Sequence, residues 1–173
     1  MNEFDKTYME VIDSLKHGNR PRIQISDALC ELINNNLNND ISIEESLCIL
    51  CHLRSPSRGF HESLVNTLKN NIYNKFELTS FLMEACQRHF IEYQTQSGNP
   101  VPPIFMKALG DYLKNCPKKE LIWVLQLIEF TGGKSIFFKK IIKELNWGFS
   151  SIFSKVDRQS IEVIKRIEKS WPN

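Results

Sequence analysis

Proline and glycine divide this chain. All seven prolines, and every glycine except Gly110, lie between stretches whose apolar residues recur at helical spacing. Proline has no amide hydrogen to give a helix and its ring clashes with the preceding turn, while glycine is costly in a helix interior, so both mark ends rather than middles. The intervals between them suit helices of ordinary length. The chain is therefore expected to be all-α, with about nine helices in antiparallel hairpins.

The first helix is expected over about residues 5–17, with Tyr8, Val11, Ile12 and Leu15 on one face and Gly18 closing it. Ser26 has the side chain to cap a second helix carrying Leu29, Leu32 and Ile33, which the asparagine-rich run 34–40 ends. Ser42, Glu44 and Glu45 resemble a capping box for a third helix that turns Leu47, Leu50 and Cys51 inward. After a basic loop at 54–59, a fourth helix over about 60–70 carries Leu64, Val65 and Leu68. The longest helix is expected from Lys75 to about Tyr93, burying Phe76, Phe81, Leu82, Ala85, Phe90 and Tyr93. Pro102 and Pro103 suit the start of a helix reaching about residue 115, in which Gly110 would let a neighbour approach closely. Pro117 opens the next, to about Phe130; Thr131, Gly132 and Gly133 turn the chain, and a helix over 134–146 returns with Phe137, Phe138, Ile141, Ile142 and Leu145 inward. A short helical piece at 149–153, after Gly148, leads to a terminal helix from Asp157 with Ile161, Ile164, Ile167 and Trp171 in one stripe.

Residues 117–146, with their early proline, leucine-rich first helix, tight turn and lysines on the second helix, resemble a unit of the HEAT-like α-helical repeat proteins. The resemblance implies helix pairs stacked right-handedly, with a long groove that receives another protein. No strict internal repeat accompanies it, so an irregular helical bundle is the other architecture the pattern allows. The 173 residues make one domain of ordinary size. A joint between halves is expected at 94–101, where Gly98 and Pro100 interrupt the pattern and the charge changes sign.

Residues 1–100 carry 9 Lys/Arg against 13 Asp/Glu, whereas 101–173 carry 13 against 7. The formal net charge is only +2, so composition demands neither nucleic acid nor membrane as a partner. No apolar run approaches the ~20 residues of a membrane span, and the acidic start lacks the pattern of a secretory signal. Five cysteines, an odd number in a chain this long, favour reduced thiols and a cytoplasmic setting, the cytosol of a host reached by an exported effector included.

Several short patterns carry chemistry on paper. Cys48-Ile49-Leu50-Cys51-His52 spells the attachment string of c-type haem, but it completes an amphipathic helix, where the thiols are expected to pack as small hydrophobes. Cys48 with Cys51, and Cys86 with His89, each share a helix face and together offer four ligands to zinc. Thr131 to Ser135 resembles the end of a phosphate-binding loop, yet Ile128 stands where its first glycine belongs and a helix precedes it. Lys139, Lys140 and Lys143 on one helix, and Arg158, Lys165 and Lys169 on the last, could form a basic groove, with Glu162 and Arg166 paired at helical spacing. Arg54 and Arg58 flank a possible anion-binding loop. The four histidines are scattered, and none follows a glutamate in the Glu-x-x-His pattern of di-iron bundles.

The chain is accordingly expected to be a non-enzymatic scaffold or adaptor that binds another protein, without a cofactor. The Lys139 face, Trp147 and the basic residues of the last helix are its expected contacts, and Trp123 and Trp171 are expected to anchor packing or an interface. The alternatives are nucleic-acid binding through the basic C-terminal half, and a zinc-dependent protein using Cys48, Cys51, Cys86 and His89.

Overall fold

The computed structural model describes residues 1–74, 78–145 and 155–172. Its helices are α1 (Glu3–Lys16), α2 (Asp27–Asn38), α3 (Ile43–Cys51), α4 (His61–Asn74), α5 (Thr79–Cys86), α6 (Tyr93–Ser97), α7 (Pro103–Asn115), α8 (Leu121–Phe130), α9 (Lys139–Glu144) and α10 (Lys155–Lys169). A π-helical turn, Gln87–Glu92, fuses α5 and α6 into one rod, and 3-10 turns at Arg58–Phe60 and Gly132–Phe138 lead into α4 and α9. The fold is all-α. Among the described residues, extended pairing is confined to one isolated parallel bridge between Ile23 and Leu53.

The helices alternate between two rows. In the first, α3 lies against α1, α5 against α3, α8 against α5 and α10 against α8; in the second, α4 lies against α2, α7 against α4 and α9 against α7. Consecutive helices connect the rows, as α1 with α2 and α7 with α8 do. One cluster of buried side chains runs from Phe4 to Ile167 through both rows and includes Val101, within the segment expected to be a joint. Helix α3 is buried on every side from Ser46 to Cys51, as an inner member of a row must be. Tyr112 of α7 is fully buried, and its hydroxyl meets Asn71 Nδ2 of α4 at 2.6 Å and Thr79 Oγ1 of α5 at 2.7 Å, tying the second row to the first.

Several expectations held in detail. Ser26 caps α2, accepting from the Leu29 amide at 3.1 Å. Gly18 closes α1 at φ +75°, a conformation open to glycine without steric penalty. Pro103 is the first residue of α7.

Others were overturned. The asparagine run ends α2 as expected, but only at Asn38, near its far end: Leu37 is fully buried, and Asn34 and Asn38 find partners on α4 in Ser63 and Asn66. Leu32, expected inward, is exposed. Ser42 forms no capping box: it sits in the left-handed region at φ 41° and its side chain caps nothing. Helix α4 runs to Asn74, and the α5–α6 rod continues past Tyr93 to Ser97. Pro117 begins a turn rather than a helix, its carbonyl accepting from the Glu120 amide at 3.0 Å. After Gly132 the chain winds as a 3-10 helix, whose tighter pitch rotates Phe137 into solvent, 58% exposed, while Phe138 is buried. The helix start at Lys75 and Phe76, Asn146, Trp147, Gly148 and the piece at 149–153 lie outside the described residues.

The close approach at Gly110 does not require glycine. A Cβ there would stand 3.4 Å from Ile141 Cδ1 and 3.7 Å from Phe138 Cε1, ordinary contact distances. Gly110→Ala is therefore expected to raise stability in urea denaturation by up to about 1 kcal/mol through better helix propensity. Tyr112→Phe, which withdraws a buried hydroxyl from Asn71, is expected to lower it by about 1–3 kcal/mol in the same measurement.

Candidate functional site

A cleft of about 430 Å³ opens on the first row. Helix α5 and the π turn supply its floor through Ser80, Glu84 and Gln87. One side is formed by the α1–α2 loop, with Arg20 and Arg22, and by the end of α3; the other is α8, with Trp123, Gln126, Leu127 and Phe130. Helix α5 packs between α3 and α8, which puts the arginine loop and the aromatic helix on opposite sides. Backbone pairing holds that loop in place: the Ile23 amide donates to the His52 carbonyl at 2.9 Å, and the Arg54 amide to the Ile23 carbonyl at 2.6 Å.

The π turn shapes the cleft wall. Such turns widen a helix by one residue and are frequent at functional sites. Here Arg88 is buried, with Nη1 on Glu92 Oε2 at 3.2 Å, Nη2 on the Leu53 carbonyl, and Nε–H without a hydrogen-bond partner. Burial, and then the nearby charge of Arg22, lowers the pKa of this guanidinium. The adjacent His89 is fully buried. Its Nδ1 accepts from the Ser57 amide at 3.0 Å, so Nε2 carries the proton and donates to the Leu50 carbonyl at 3.2 Å. His61 stacks on Phe90 at 4.2 Å and places Nε2 2.6 Å from the His89 carbonyl, while Phe90 stacks on Phe105 at 3.9 Å.

The four proposed zinc ligands do not converge. Cys51 Sγ points to the Phe81 carbonyl at 3.5 Å, both ring nitrogens of His89 are engaged by backbone, and Cys48 and Cys86 are buried. Burial pushes the Cys48 thiol up to about 11 and raises Cys51 and Cys86 as well. No group of three or more metal-ligating side chains comes together among the described residues. The haem string fails on the same burial of Cys48 and Cys51, and His52 caps its own helix, Nδ1 on the Cys48 carbonyl at 2.8 Å.

The phosphate-loop likeness also dissolves. Ser135 is buried, accepting from Trp171 Nε1 at 3.0 Å, and Lys134 reaches Gln94 Oε1 at 3.1 Å. Lys139 is half-buried with its ammonium 5.3 Å from the Trp171 ring centroid, so it braces α10. Lys140, Lys143, Arg158, Lys165 and Lys169 are exposed, as are Arg54 and Arg58. None of these seven belongs to the cleft. Arg166, expected to pair with Glu162, instead makes a two-pronged bond to Glu129 of α8 at 2.6 and 3.0 Å, fastening α10 to its neighbour.

Trp123 and Phe130 are 43% and 56% exposed on the cleft wall. The signal for them was present in the sequence: Leu121–Phe130 is apolar nearly all round, so a helix packed on only part of its circumference must show some of that surface. The arginines gave no such signal, since Arg20 and Arg22 meet Arg88 only through folding. No helix among the described residues is long and apolar enough to cross a membrane. No family model, curated protein or solved structure matches this chain.

His89 makes stability depend on pH. Burial lowers its pKa to about 4, below the ~6.5 of an exposed histidine, so the unfolded chain takes up the proton first as pH falls. The stabilisation is intact above about pH 6.5 and is lost between there and pH 4, a drop of about 3 kcal/mol. Urea titrations at a series of pH values are expected to show this loss, and His89→Gln is expected to flatten it.

Proposed function

We propose that this protein is a non-enzymatic scaffold that binds a segment of another protein in the cleft between the α1–α2 loop and α8. The observation that carries this reading is the exposure of Trp123 and Phe130, two turns apart on one helical face, on a wall of a concave surface. Tryptophan and arginine are the side chains that most often dominate protein interfaces, and both line this cleft. The alternation of helices between two rows supports it further, because HEAT-like stacks present such grooves to protein partners. The residues that would do the work are Trp123, Phe130 and the cleft arginines, in place of the lysines of α9 and α10.

The test is a photo-crosslinking amino acid in place of Gln126, which lies between the two aromatics, in the cell that makes the protein. A discrete protein adduct is expected, and Trp123→Ala is expected to abolish it while leaving the urea midpoint within about 0.5 kcal/mol, as for surface substitutions generally. An adduct pattern indifferent to Trp123→Ala, or none, would refute the cleft as the binding surface.

A further inference from the structure

The cleft is chemically two-sided, and that asymmetry specifies its occupant. Three arginines and two glutamates line it. Glu92 pairs with Arg88 at 3.2 Å and Glu84 with Arg20 at 3.9 Å. That leaves Arg22, exposed and without an acidic partner within ion-pair distance among the described residues, beside the charge of Arg88. Glu92 neutralises Arg88 but not Arg22, so the like charges lining this wall leave Arg22 in want of an anion. Across the floor formed by α5, the opposing wall offers the apolar faces of Trp123 and Phe130.

Resting on the protein-binding reading above, we propose that the cleft recognises an acidic, amphipathic peptide segment: a carboxylate side chain seated against Arg22 beside Arg88, and a bulky apolar side chain against Trp123 and Phe130. Arginine forks match carboxylates with two parallel hydrogen bonds, and an indole face takes an aromatic or branched side chain with large buried area. The partner's acidic side chain supplies the counter-charge that Arg22 lacks, so charge is matched where the cleft alone leaves it unmatched.

The experiment selects from an unbiased library of random linear peptides on the immobilised full chain, then titrates the recovered peptides in solution. Peptides pairing Asp or Glu with a large apolar residue are expected. Their affinity should fall at least about tenfold on replacing the acid by its amide, on Arg22→Ala, or on raising salt from about 0.05 to about 0.5 M. Arg22→Glu, a change at an exposed position, reverses the charge there and should switch preference to the peptide with Lys in place of the acid. Peptides that need Trp123 yet lack acids, or that bind Arg22→Glu unchanged, overturn the acidic assignment and leave the protein-binding reading standing. Recovery of nothing that depends on Trp123, or displacement of every peptide by a mixed-sequence RNA, overturns both.

Discussion

Side chains of one wide helical turn hydrogen-bond the last turn of α3 and the segment that joins it to α4. Arg88 takes the Leu53 carbonyl, His89 takes the Leu50 carbonyl and receives the Ser57 amide, and His61 returns the exchange at the His89 carbonyl. A buried backbone group without a partner costs about as much as a lost hydrogen bond, so this irregular segment is viable only where such donors reach it. The extra residue of the π turn presents Arg88 and His89 to that segment. The position of the α1–α2 loop follows, since Ile23 hangs on the backbone of His52 and Arg54. The cleft is thus a consequence of how one loop is satisfied.

Local rules were legible where the deciding atoms lie within a few residues. Ser26 caps the helix it was expected to cap because the donor is three residues away. Gly18, Gly98 and Pro103 punctuate as their backbone chemistry requires. Where a partner from elsewhere decides, the reading failed. Asn34 and Asn38 stay helical because Ser63 and Asn66 of α4 receive them and Leu37 is buried, a tertiary override of weak propensity. Phe137 is exposed because the chain winds at three residues per turn, a change of pitch that apolar spacing does not announce.

The candidate site was legible only in its aromatic half. Spacing on a single helix put Cys48 beside Cys51, and Cys86 in step with His89, but ligand geometry is set by how two helices face each other, and here both cysteines and histidine serve packing and backbone. The basic residues of α9 and α10 were conspicuous because they are clustered in sequence; Arg20, Arg22 and Arg88 are not. Clustering along a chain measures composition, whereas a cleft samples surfaces from distant segments.

The two-row order also bears on how this chain reaches its native state. Each helix of a row leans on one that an intervening helix of the other row separates from it, so every contact along a row closes over a stretch holding at least one whole helix. A helix of one row thus finds its row neighbour only after the helix between them has taken its place in the other row, so the ordering of one pair gives the next a template. The same order that leaves a concave surface on the first row therefore lets the stack grow from neighbour to neighbour, without waiting for its two ends to meet.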